Sequence, residues 1–194
     1  YSSITNCLYM RFLITFAMQI AAKHLRALEY FFGEPFQEVY LRELARRVDL
    51  SVFSLKTAVD DLVEEGLLVE RRVGRLRFLR ANLDDLFFRF LKIAFNVKKV
   101  VDCGVVGFLR ECVPALSSVV LFGSWAKGEN DKRSDVDVLV IGQRPVGLDV
   151  SGLEAKLGGG LELIIMRWTE WRKKAEEDKA FYLEVITNGV LLYG

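Results

Sequence analysis

Asp135 and Asp137 stand one residue apart at the head of an apolar run, Val136 to Ile141. In a strand, side chains at i and i+2 leave the same face, so both carboxylates point one way. Two like charges that close repel unless a cation lies between them, and Mg²⁺ is a hard cation that takes oxygen ligands. A third acid, Glu162, sits in another apolar run, Leu161 to Met166. A carboxylate in such a strand must face either solvent or a cation, because burying it alone is costly. Upstream, Ser118 to Phe122 runs directly into Gly123-Ser124. Glycine at that junction lets backbone approach a ligand, and free N–H groups there suit a phosphate. A phosphate cradle beside a paired metal site points to phosphoryl or nucleotidyl transfer.

Those residues need a scaffold, and the C-terminal half reads as one. Runs 118–122, 136–141 and 161–166 are the strands, and 190–193 forms a last short one. Val105 to Cys112 continues a helix that packs beneath the sheet and is ended at Pro114, so that Cys103 and Cys112 are expected on one helix. Residues 151–157 form a short helix, Gly158-Gly159-Gly160 a flexible turn, and 168–186 two helical pieces. Ahead of these, Leu83, Leu86, Phe87, Phe90, Leu91, Ala94 and Val97 recur at helical spacing and read as core. Around the acids, Ser134 either caps a turn or positions phosphate. Lys127, Lys132 and Arg133 either neutralise a triphosphate or are simply solvated.

The stretch GSWAKGENDKRSDVDVLVI, 123–141, resembles the signature of the polymerase-β-like nucleotidyltransferase superfamily in its shortest form, the minimal nucleotidyltransferases. The resemblance covers roughly 98–194. It implies that Gly123 and Ser124 contact the nucleotide phosphates, and Lys127 and Ser134 stand beside them as candidate nucleotide-binding residues on the reading above. It implies that Asp135, Asp137 and Glu162 are the catalytic residues and hold two Mg²⁺ ions. ATP or another NTP is then the substrate, with AMP passed to an acceptor such as a toxin-like partner protein. The third acid is Glu rather than the commoner Asp. Trp125 and Lys127 stand where small or arginine side chains are expected.

Residues 23–82 read as a different unit. A helix over 23–32 is ended by Gly33-Glu34-Pro35, and a short helix spans 40–48. A second helix spans 52–65, with Gly66 placed to cap it. Two strands, 67–71 and 76–79, are joined around Val73-Gly74. Helix, helix, helix, hairpin resembles a winged helix-turn-helix. That resemblance implies that the helix 52–65 enters the DNA major groove through Ser51, Ser54, Lys56 and Thr57. On the hairpin, Arg71, Arg72, Arg75 and Arg77 suit phosphates or the minor groove, with Arg80 close by. Over 41–80, nine basic residues meet seven acidic ones, a small surplus for a DNA binder. The alternative to a DNA-tethered enzyme is a winged-helix transcription regulator whose C-terminal half senses a nucleotide or is inactive.

The expected fold is therefore α+β, a winged helix-turn-helix followed by a small mixed-sheet nucleotidyltransferase-like α/β domain. The divisions are 1–22 as an N-terminal apolar helix, 23–82, a linker helix 83–97, and 98–194. The 194 residues are 52% hydrophobic, ample for a core, and carry a net charge of +1, so the whole molecule is no polyanion magnet. Cys7, Cys103 and Cys112 lack metal-ligand spacing and imply a reduced, cytoplasmic setting. The lone His24 gives little support to serine-hydrolase or His-metal chemistry. The run 7–22 is interrupted by Arg11 and Gln19 and is short of the ~20 apolar residues of a membrane span. It reads as a helix buried against the rest of the chain or against a second copy in a homodimer.

Overall fold

The computed structural model of the protein describes residues 21–194, so the expectation for the apolar run 1–22 lies almost wholly outside the described residues. Among them are nine helices and two sheets. The chain divides into two compact units between Asp85 and Leu86.

In the first unit, α1 (Ala22–Gly33), α2 (Leu41–Arg47) and α3 (Val52–Glu64) precede the hairpin β2 (Leu68–Val73) and β3 (Leu76–Ala81). A two-residue strand, β1 (Val39–Tyr40), which the sequence reading lacked, pairs antiparallel with β3 opposite Leu79 and Phe78. The sheet order is β1-β3-β2. Phe31, Leu44, Leu55, Leu62 and Leu79 are fully buried and form the core. α3 begins where Ser51 Oγ accepts from Ser54 N at 3.1 Å, satisfying one of the unpaired N–H groups of the first turn. It ends at Gly66, whose φ of +77° suits glycine. His24 ties α1 to α3: Nδ1 accepts from Ala21 N, and Nε2 lies 2.9 Å from Asp61 Oδ2. It has a structural post.

The second unit opens with α4 (Leu86–Cys103) and α5 (Val105–Cys112). Cys103 and Cys112 are therefore on two helices, contrary to the sequence expectation. Gly104 separates them with a left-handed φ of +87°. The sheet of β4 (Ser118–Phe122), β5 (Val136–Ile141), β6 (Leu161–Met166) and β7 (Val190–Tyr193) has the order β6-β5-β4-β7. β5 and β6 are parallel, whereas β4 is antiparallel to both β5 and β7. The parallel pair is bridged by α7 (Ser151–Leu157). After β6 come α8 (Trp168–Glu177) and α9 (Lys179–Asn188).

The sheet is buried on both faces, and strand alternation sorts its residues. Val119, Leu121, Val136, Val138 and Val140 face one core, with Val100, Leu109, Trp125, Leu153 and Leu157 from the helices. Phe122, Leu139, Ile141 and Met166 face the other, with Trp171 and Val185 from α8 and α9. Phe181 stands edge-on to Phe122 at 5.5 Å and to Trp171 at 6.1 Å, an arrangement that aromatic quadrupoles favour. Among the described residues no helix is long and apolar enough to cross a membrane.

Candidate active site

Alternation along β5 puts Asp137 on the face of Leu139 and Ile141, and Asp135, just ahead of the strand, follows the same phase. On β6, Glu162 shares the phase of Ile164 and Met166, on that same face. The parallel register sets Glu162 directly beside Asp137. All three acids thus stand at the N-terminal ends of the two parallel strands, over one face of the sheet. Asp135 and Glu162 are exposed and Asp137 is half-buried. Burial, then the negative charges of Glu162 and Asp135, push the Asp137 carboxyl above the usual range.

Two glycines make room for these carboxylates. A Cβ at position 123 would lie 2.1 Å from Asp137 Oδ2, and one at position 160 would lie 2.3 Å from Asp135 Oδ1. Gly123 also has φ +69°, which β-carbons disfavour. Sequence reasoning took Gly158 to Gly160 as a flexible turn and missed this role for Gly160. The signal was three glycines directly ahead of the strand bearing the third acid. Gly160 O also accepts from Val136 N at 2.9 Å, which fixes the start of β5 against β6.

Gly123 and Ser124 form the first turn of a short helix, α6 (Gly123–Lys127), rather than a simple turn. β4 delivers Phe122 opposite Asp137, so the opening N–H groups of α6 begin beside that carboxylate. Lys127 is held by carboxylates, 3.2 Å from Glu184 and 3.3 Å from Glu129. The hydrogen bond to Glu184, with help from Glu129, raises its pKa. Ser134 Oγ accepts from Asp131 N and donates to Asp131 Oδ1, so it serves the loop's own turn. Trp125 is buried in the core, and its indole N–H donates to Ser134 O at 3.2 Å.

Residues 103–187 match the family model described as Nucleotidyltransferase domain. The match takes in every acid and glycine just described. A solved chain titled "Crystal structure of the toxin-antitoxin with AMP-PNP" is 24% identical to this one, over 51% of this chain and 73% of that chain, with a TM-score of 0.36. No curated protein matches the chain. Within the matched residues, the acids offer only oxygen donors, on one face, with β-carbons absent where the carboxylates need space. That chemistry fits a hard cation such as Mg²⁺. Among the described residues, no three acidic, imidazole or thiol side chains lie close enough together to hold a metal ion as they stand.

Sequence reasoning also missed a buried polar layer behind the loop that joins α6 to β5. Lys92, Asn96 and Asn130 are only 1%, 2% and 4% exposed. Lys92 Nζ donates to Asn130 O, and Asn96 Nδ2 donates to Trp125 O at 2.9 Å and to Asn130 Oδ1 at 2.8 Å. Burial lowers the Lys92 pKa to about 8, against an opposing pull from Asp131. The sign in the sequence was a Lys and an Asn at i, i+4 amid an apolar helical stripe.

In the first unit, the residues suited to DNA are differently placed. Ser51 and Thr57 are exposed at the start of α3, Lys56 is exposed and Ser54 half-buried. Ser51 is occupied as the cap, and Thr57 Oγ1 lies 3.4 Å from Phe53 O. Phe53 itself is 84% exposed. Three arginines of the hairpin are committed to carboxylates: Arg71 to Glu38, Arg72 to Glu70, and Arg77 to both Glu70 and Asp60. Arg75 is exposed at the hairpin tip, beside Gly74 with φ +58°.

Proposed function

We propose that this protein is a Mg²⁺-dependent nucleotidyltransferase that moves a nucleoside monophosphate, AMP from ATP, to an acceptor hydroxyl. The observation that carries the reading is the convergence of Asp135, Asp137 and Glu162 on one face, with Gly123 and Gly160 vacating the space they occupy. The family match over residues 103–187 supports nucleotidyl transfer as the reaction class. Two Mg²⁺ ions held by the three acids would bind triphosphate oxygens and lower the pKa of the acceptor hydroxyl. The acids bind and space that charge. The backbone N–H groups at Gly123 and Ser124 orient the phosphates, so that the α-phosphorus lies in line with the incoming oxygen and pyrophosphate leaves. Lys127 would reach phosphate by exchanging Glu184 or Glu129 for it. The acceptor is read as a partner protein, on the resemblance of the motif to minimal nucleotidyltransferases.

The first unit is read as a winged helix-turn-helix, supported by its element order and by the hairpin that follows α3. Its DNA contacts would centre on Ser54, Lys56, Arg75 and Arg80, because Arg71, Arg72 and Arg77 are engaged within the unit.

The test is calorimetric titration with a nonhydrolysable ATP analogue, with and without Mg²⁺, on the native chain and on an Asp135→Asn, Asp137→Asn variant. Mg²⁺-dependent binding that the double variant loses is the expected result. Failure of all four nucleotides to bind the native chain would reduce the second unit to a scaffold, and the regulator reading would replace the enzyme.

A further inference from the structure

α4 presents one continuous stripe to the loop that carries the acids. Arg89, Lys92, Ile93 and Asn96 fall at i, i+3, i+4 and i+7, a single helical face. Each of the four meets the segment 125–130. A Cβ on Gly128 would lie 3.1 Å from Arg89 O and 3.2 Å from Ile93 Cγ1, so the loop leaves α6 pressed against the helix. Lys92 and Asn96 then take the carbonyls of Asn130 and Trp125, and Asn96 takes the Asn130 side chain as well. Beyond Asn130 the loop closes on itself through Asp131 and Ser134, and Trp125 reaches across to Ser134 O. Asp135 follows immediately.

We infer that Lys92 and Asn96 are positioning residues that clamp the loop 128–134 and so set the spacing of Asp135 against Asp137 and Glu162. The inference rests on the nucleotidyltransferase reading of those acids. Stability does not account for a lysine here. An ammonium taken fully out of water is costly unless it is well paired, and this one donates to a neutral backbone carbonyl rather than to a carboxylate. Burial depresses the Lys92 pKa to about 8, which registers that cost. What an apolar residue cannot do is donate to Asn130 O and hold the backbone in place. The clamp also leaves the carboxylates themselves free, since it grips carbonyls and one amide rather than any of the three acids.

The test uses the full chain as native, Lys92→Met and Asn96→Leu forms. Three quantities are followed: melting temperature, amide hydrogen exchange by segment, and affinity for the nonhydrolysable ATP analogue with Mg²⁺. Lys92→Met should melt no lower than the native chain. Its exchange over 128–134 should rise at least tenfold while strands 119–121 and 137–140 keep their protection. Mg²⁺-dependent nucleotide affinity should fall at least tenfold in both variants. Unchanged exchange over the loop overturns the clamp, and so does a uniform loss of protection with a lowered melting temperature, which would make both residues purely structural. Loosened loop exchange with undiminished affinity overturns the link to the acids. If the native chain binds no nucleotide, the nucleotidyltransferase reading fails, and the exchange profile still decides whether Lys92 and Asn96 hold the loop.

Discussion

At the scale of single residues, the site depends as much on missing atoms as on present ones. Gly123→Ala and Gly160→Ala each add one methyl, within 2.1 and 2.3 Å of the Asp137 and Asp135 carboxylates. Both should cut Mg²⁺-dependent nucleotide affinity at least tenfold in calorimetry. Gly123→Ala should also cost about 1–2 kcal/mol of stability in urea melts, because its left-handed backbone disfavours a Cβ. The acids were legible from type and spacing alone, whereas Gly160 was not, because its function is the lack of a side chain in a fold not yet known. Asp137 gives a second expectation. Its folded pKa is raised above the unfolded value, so the folded state binds more protons across the interval between them, and stability falls as pH rises through it. Asp137→Asn removes that penalty. The variant should melt above the native chain in chelator at about pH 7, and the gain should vanish below about pH 3, where the carboxyl is protonated in both states. Added Mg²⁺ should raise the melting point of the native chain and not that of the variant.

At the scale of elements, strand phase and helix stripe were readable where periodicity ran clean. β4, β5, β6 and β7 and the helices α3, α7, α8 and α9 fall within a residue or two of their expected spans. The errors lie where a local backbone state overrode the pattern. Gly104 turns the chain left-handed and divides one expected helix into α4 and α5. Two residues of β1 are too few to announce themselves and exist because β3 offers a partner. The polar layer on α4 was hidden because the expected core stripe lay on another face: Leu83, Leu86, Phe90 and Ala94 are exposed, whereas Phe88, Lys92, Asn96 and Val100 are buried. Depth has a measurable consequence. The Lys92 pKa of about 8 lies below its unfolded value, so the unfolded state binds more protons above that pH. Stability should therefore rise with pH from about 8 to about 10.4, by at most about 1.4 kcal/mol per pH unit. The facing charge of Asp131 opposes and so limits the effect. Urea melts of the native chain and Lys92→Met across that interval isolate the site, since other titrating groups are common to both. Parallel stability curves would show that Lys92 does not titrate as described.

At the scale of the whole molecule, two units of different character share a chain whose net charge is only +1. Long-range attraction to DNA is therefore weak, and any binding must come from local cations. The sequence suggested a wing dense in arginine, but density is not availability. Glu38, Glu70 and Asp60 absorb Arg71, Arg72 and Arg77, and the nearest of these carboxylates lies in the same hairpin as the arginines it holds. Charge pairing across a hairpin is set by register, Arg72 opposite Arg77 with Glu70 two residues on, which the linear sequence does not display. Lys56, Arg75 and Arg80 are exposed and take part in none of these pairs. If the first unit binds DNA through those three, the slope of log affinity against log salt should be near −3, at about −0.9 per phosphate contact. Anisotropy titrations of a labelled duplex at several salt concentrations measure it. Arg75→Ala should flatten the slope by roughly one contact. Arg72→Ala should leave it almost unchanged, because that arginine already has a carboxylate partner. A steep slope that Arg72→Ala reduces would mean that DNA strips the wing of its internal pairs. Absence of binding at low salt would remove DNA from the function and leave the first unit as a surface for protein, with Phe53 the most exposed of its large apolar side chains among the described residues.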